Sequence, residues 1–109
     1  MTTATFGKRI KELRTKKGLT LDQLATATGS SKSYIWELEN KNPPRPSAEK
    51  LAEIAKVLEV TTDYLIGREA VTLEDAEDKA FFREYSNMPE KTREKIRAMA
   101  RLLGGDTKE

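Results

Sequence analysis

Ser31, Lys32, Ser33, Trp36, Glu37 and Asn40 fall within one short helical pattern, and the chemistry they offer is recognition. Hydroxyls, an amide, an ammonium, a carboxylate and an indole can meet base edges, sugars and phosphate oxygens through hydrogen bonds and contacts. Bond-making chemistry is poorly supplied. The chain contains no Cys and no His, so it has no disulfide, no thiolate zinc site and no cysteine nucleophile, and it lacks the commonest general base and metal ligand. Carboxylates, Lys, Ser and Tyr remain, and no pair of them forms a catalytic motif. No enzyme activity, cofactor or metal is expected.

The element that must hold these residues is the segment Thr20 to Asn40, TLDQLATATGSSKSYIWELEN. Thr20 with Gln23 three residues on is a capping box, in which each side chain satisfies an N–H of the other residue. The helix that follows turns Leu21, Leu24, Ala25 and Thr28 inward, and Gly29 supplies the tight turn. Ser30 or Ser31 then caps a second helix. Two helices joined in this way form the unit that places one of them in the DNA major groove.

At about 100° per residue, Ile35 and Leu38 share a core-facing side with Ser31 and Tyr34. Ser33, Trp36, Glu37 and Asn40 point the opposite way, and Lys32 flanks them in the first turn. Glu39 falls only about 40° from Ile35 by the same arithmetic, so a carboxylate sits beside the core and needs a partner. Each outward residue has a plainer reading too. Lys32 and Ser33 can be solvated first-turn residues instead of base or phosphate contacts. Glu37 can accept from cytosine N4 or pair with Lys41 at i,i+4. Trp36 can touch a thymine methyl or sugar edge, or fold over the rim of the core.

Further helices frame this unit. The first runs from about Thr5 to Lys17 with Phe6, Ile10 and Leu13 at helical spacing, and it stops at Gly18. A fourth, about Ala48 to Leu58, opens at Ser47 with Glu49 in its first turn and buries Leu51, Ile54, Ala55 and Leu58. A short fifth, Thr62 to Ile66, ends at Gly67. The prolines of the Asn42 to Pro46 loop fix the backbone and hold Arg45 outward.

The ordered pieces FGKRIKELRTKKGLT, LDQLATATG, SYIWELEN, PSAEKLAEIAKVLEV and TTDYLIG resemble the lambda-type (Xre family) helix-turn-helix repressors over Phe6 to Gly67. The resemblance implies a five-helix domain. It also implies DNA contacts at Ser31, Lys32, Ser33 and Glu37, backbone contacts at Asn40 and Arg45, and a structural ion pair between Arg14 and Glu39. At the start of the second helix many of these repressors carry a phosphate-binding Gln. Leu21 stands there instead, so that contact is not carried over.

At 109 residues and a net charge of +2 the chain fits one domain plus an appendage. Charge is unevenly divided. Residues 1–68 hold 12 Lys/Arg against 8 Asp/Glu, and residues 69–109 hold 8 against 10, so the basic half is the half with the helix-turn-helix. That excess is modest, which points to two copies acting together. No run of 18 apolar residues and no signal-peptide core follows Met1, so a chain that neither spans a membrane nor is exported is expected.

Beyond the acidic stretch Glu69 to Asp78, a linker or helix start, come two more helical stripes. One carries Ala76, Ala80, Phe81 and Tyr85 and ends near Asn87-Met88-Pro89. Pro89 opens the other, which carries Ile96, Met99, Ala100 and Leu103 and ends at Gly104-Gly105 before a frayed tail, Asp106 to Glu109. Two such helices cannot close a separate core between themselves, so they need the first domain or another chain.

The expected fold is thus all-α: a five-helix lambda-repressor-like domain over 1–68, then an acidic linker and a C-terminal helical hairpin over 69–109. The expected function is a sequence-specific transcriptional regulator, a repressor that binds an inverted-repeat operator on double-stranded DNA as a homodimer in the bacterial cytoplasm, associated with the nucleoid. Phe81, Tyr85, Ile96, Met99 and Leu103 would form the dimer or partner face. The alternatives are a DNA-binding antitoxin whose C-terminal helices hold a toxin, and a protein-interaction module that no longer binds DNA.

Overall fold

The computed structural model describes residues 3–41, 43–67 and 72–104, and seven helices form among them. They are α1 (Thr3–Lys16), α2 (Leu21–Ala27), α3 (Lys32–Asn40), α4 (Ala48–Leu58), α5 (Thr62–Ile66), α6 (Leu73–Ser86) and α7 (Glu90–Gly104). The all-α architecture is the expected one. The linker reading falls partly on residues 68–71, and the frayed tail on 106–109; both stretches lie outside the described residues, as does Gly105.

Side-chain oxygens start most of these helices. Thr20, Ser31, Ser47, Thr61 and Thr72 each accept from the backbone N–H three residues on, filling one of the donors that a helix start leaves open. At Thr20 the box is complete, since Gln23 also accepts from the Thr20 N–H at 2.8 Å. The α7 start differs slightly from expectation: Pro89 lies just before the helix, and its carbonyl accepts from Arg93 N at 3.0 Å.

The turn between α2 and α3 closes in a Schellman arrangement. Ser30 N donates to Ala25 O at 2.8 Å and Gly29 N to Thr26 O at 3.2 Å, with Gly29 at φ 66°, where a Cβ is disfavoured. A second glycine acts through space. A Cβ on Gly7, inside α1, would stand 2.4 Å from the Leu38 carbonyl oxygen and 2.9 Å from that of Glu39. Only a glycine lets α1 lie this close to the end of α3.

The core is one cluster drawn from Phe6, Ile10 and Leu13 of α1, Leu24 and Ala25 of α2, Ile35 and Leu38 of α3, the α4 residues Leu51, Ile54, Ala55 and Leu58, and Val60, Leu65 and Ile66. Leu21, Tyr34 and Val57 pack at its edge. Arg9 ties α1 to α5 by donating to the Tyr64 carbonyl, with its guanidinium 4.1 Å from the Tyr64 ring centre.

The first turns of α6 also enter this core. Ala76 is 0% exposed within the same cluster, and Leu73 packs against it. Further along, a groove of about 490 Å³ opens between α6 and the domain, lined by Ala52, Val60, Ala80 and Phe81 among others.

Candidate nucleic-acid interface

Helix α3 divides as its periodicity requires. Ile35 and Leu38 are buried, Tyr34 and Glu39 are partly covered, and Lys32, Ser33, Trp36, Glu37 and Asn40 are exposed. Ser31 departs from expectation. Helical phase puts it on the core side, yet it is exposed, because it takes the other expected role, that of N-cap: its Oγ accepts from Tyr34 N at 3.1 Å. That leaves the hydroxyl hydrogen available to a phosphate or base acceptor.

Each outward side chain has its own surroundings. Lys32 Nζ lies 4.0 Å from an Asp22 carboxylate oxygen on α2, both groups well exposed. Asn40 donates from Nδ2 to the Trp36 carbonyl at 3.0 Å, and its amide has a second N–H donor and an oxygen acceptor besides. Trp36 is 44% exposed, with the Lys41 ammonium 5.6 Å from its ring centre, a cation–π distance. Glu37 and Lys41 form no ion pair, the Lys41 chain being turned toward the indole. Arg45 is exposed in the loop after α3, its guanidinium carbon 6.0 Å from the Phe6 ring centre. It therefore lies by the start of α1, apart from the first turn of α3.

Behind this surface the frame is cross-braced. Arg14 donates from Nε to Glu39 Oε2 at 2.7 Å, from Nη2 to Oε1 at 3.1 Å and from Nη1 to the Leu19 carbonyl at 2.9 Å. The Glu39 side chain is 1% exposed in this fork, and the hydrogen bonds its carboxylate accepts raise the Arg14 pKa above its ordinary value. One side chain thus joins the end of α1, the connection to α2 and the end of α3. Lys50 of α4 does the same for the turn: it donates to the carbonyls of Thr28 and Gly29 and pairs with Glu53 at 3.2 Å. A lysine at a helix C-terminus is favourable to the dipole. Sequence reasoning missed Lys50, Gly7 and the Lys32–Asp22 pair, since none shows in a period or a local motif.

The C-terminal stripe is placed differently. Tyr85 and Ile96 are half-buried, and the Tyr85 hydroxyl accepts from Arg97 Nη1 at 2.7 Å, which with Glu90 raises the Arg97 pKa. Phe81 is exposed and stacks on Tyr85 at 6.2 Å. Met99 is 61% exposed, and Leu102 and Leu103 are 85% exposed. Phe82 and Leu102 are exposed as well, and the spacing does not single them out.

A capped two-helix unit with a tight glycine turn and an outward polar face on its second helix defines the helix-turn-helix class. Residues 10–65 match the family model described as Helix-turn-helix, and the chain belongs to that family. It is 34% identical over 72 residues to the HTH-type transcriptional regulator SinR of Bacillus licheniformis, a match covering 66% of this chain and 65% of that protein. The chain therefore spans about two thirds of the length of that relative. Among solved structures, it resembles SinR, the master regulator for biofilm formation, in complex with DNA, at 36% identity and a TM-score of 0.53, over 56% of this chain and 97% of the other. It also resembles a chain of the SinR protein/SinI protein complex, at 26% identity and a TM-score of 0.53, over 93% of this chain and 99% of the other.

Proposed function

We propose that this chain is a sequence-specific DNA-binding transcriptional regulator, a repressor that occupies an inverted-repeat operator as a homodimer. The observation that carries the reading is the outward face of α3 on a frame braced by Arg14, Glu39, Gly7 and Lys50. Ser31, Lys32 and Ser33 stand in the first turn, where a recognition helix approaches base edges. Trp36 and Glu37 follow on the same side, while Asn40 and Arg45 supply contacts to the DNA backbone that set the register. Binding and steric exclusion suffice for such a role, and no catalytic step is assigned. Its place would be the cytoplasm, with the DNA; no helix among the described residues is long and apolar enough to cross a membrane.

Residues 1–68 would form the DNA-binding part and 69–109 the assembly part. Charge supports self-association through the second. Helix α6 carries five Asp/Glu against two Lys/Arg, and α7 five Lys/Arg against two Asp/Glu, so the helices of two copies attract where α6 meets α7. The apolar groups available are Phe81, Tyr85, Ile96, Met99 and Leu103. A second reading, capture of another protein by these helices, draws support from the SinR/SinI neighbour, whose match extends through them. The antitoxin version of that reading is less well supported, because the relatives matched are transcriptional regulators.

Selection of bound sites from random duplexes tests the proposal, since it yields the half-site, its symmetry and its spacing. Lys32→Ala and Ser33→Ala should each cost about 1–3 kcal/mol on the selected site and less on random DNA. Arg45→Ala should weaken all sequences alike and lower the slope of log K against log salt by about one. No enrichment over random duplexes at low salt would defeat the reading.

A further inference from the structure

Helix α6 is fastened at one end only. Ala76 is fully buried in the cluster that holds Ile10, Leu24 and Leu58, Leu73 packs on that cluster, and Glu77 Oε2 meets Lys16 Nζ at 3.2 Å at the end of α1. Beyond that point α6 runs alongside α4 across an open groove. Phe81 and Phe82 are exposed, and the groove beside Val60 and Ala80 separates α6 from α4 and α5. After a short turn the chain continues into α7, where the unpartnered apolar residues stand.

We propose that the contact made by Leu73, Ala76 and Glu77 is a positioning device: it fixes the direction of α6 relative to α3, and so sets the separation of DNA half-sites that a dimer accepts. This rests on the dimer reading given above. The lever arm is long enough to matter. Fourteen residues of α6 span about 21 Å at 1.5 Å per residue, so a tilt of about 20° at the anchored end moves the far end by about 7 Å. That equals roughly two base-pair steps of 3.4 Å. Two recognition helices must land about one helical turn apart on one DNA face, and an error of this size in each copy would spoil the fit. The anchor is also exacting. A position with no exposed surface, filled by a single methyl group, admits no larger side chain unless α6 lifts away.

The test uses the intact chain and four duplexes: a single half-site, the selected palindrome, and the palindrome with two or five base pairs inserted between half-sites. One variant is Ala76→Glu. The other, Leu73→Ser with Glu77→Lys, changes the partly covered rim and sets a like charge opposite Lys16. Wild-type affinity should fall on insertion of two base pairs and reach the half-site level at five, which turns the second half-site to the opposite face. The variants should remain dimers by sedimentation and bind the half-site normally. They should lose about tenfold on the selected palindrome, with the two-base-pair insertion then bound within a few-fold of it, because the preorganised geometry is gone.

A dimeric variant that keeps the wild-type spacing profile overturns the proposal. A wild-type chain that sediments as a monomer and binds palindrome and half-site equally overturns the dimer reading itself, and the spacing role with it. Should Ala76→Glu fail to fold, the rim variant and hydrogen exchange on the wild type still decide. Amides near Ala76 should be protected like those near Ile54, and exchange there as fast as in α7 would refute the anchor.

Discussion

Helices α3 and α7 are both amphipathic, yet their apolar faces meet opposite fates. Ile35 and Leu38 of α3 are buried where α3 packs on α1 and α2, whereas Met99, Leu102 and Leu103 of α7 stand in solvent. The same periodicity therefore describes two different things. In α3 it identifies the side that must be buried for the polar side to be aimed. In α7 none of the described elements covers Met99, Leu102 or Leu103, and an exposed apolar surface of this kind is what the proposed assembly face requires. A stripe reports that burial is wanted; it does not say by whom.

The contrast is broken most sharply by attacking the frame of α3. Replacing Glu39 by Ala leaves Arg14 partly buried without its carboxylate, which should cost about 3–5 kcal/mol in urea denaturation. Because the partners are in contact, Arg14→Met combined with Glu39→Leu should cost less than the two single changes added together. Additive losses would mean that the fork contributes no coupling energy. Gly7→Ala is the companion test and should cost about 3 kcal/mol, the upper part of the usual overpacking range. The clash is with two backbone carbonyls of α3, which cannot swing aside as a flexible side chain would. A variant as stable as the parent would show that α1 has room to shift.

Changes in α7 should leave folding almost untouched. Met99→Ser with Leu103→Ser removes apolar atoms that already face water, so unfolding of the α1–α5 core should move by no more than about 0.5 kcal/mol. Operator affinity should drop by about 100-fold, since a tethered second half-site contributes through effective concentration alone. Sedimentation should show a monomer. If the double variant stays dimeric, the association face lies elsewhere, and the exposed α7 surface awaits a different protein.

How much of this was legible in the sequence follows from the range of the forces involved. Caps, the Thr20–Gln23 box, the Gly29 turn and the inward residues of α2, α3 and α4 depend on neighbours within a few positions, so spacing discloses them. The partner of Glu39 did not follow from spacing; it came from the resemblance, and the fork at 2.7 Å shows why such a carboxylate is tolerated beside a core. Gly7 reads locally as a weak helix former, and its function appears only when α3 is laid across it. Lys50 reads as a solvated residue until the end of α2 arrives beside it. Ala76 was grouped with Phe81 and Tyr85 on one face, but α6 touches the domain only through its first turns, so one member is buried while Phe81 is exposed.

The smallest expected effect bears on the polar side of α3. Lys32 Nζ stands 4.0 Å from Asp22, and both side chains are more than half exposed. An exposed pair of this kind contributes about 0–1 kcal/mol to folding, so Asp22→Asn should barely change stability. Its consequence for DNA is larger in kind. The carboxylate sits at the first turn of α2, beside the residue proposed to meet phosphate or base, where it would repel the phosphate backbone and compete for the ammonium proposed to reach it. Removing that charge should raise affinity a few-fold on specific and random duplexes alike, with the gain shrinking as salt is raised. The effect should vanish in the Lys32→Ala background if it acts through the ammonium, and persist there if simple repulsion dominates. Lower affinity in Asp22→Asn would instead mean that Asp22 holds Lys32 in its reading position, making the pair part of the recognition surface.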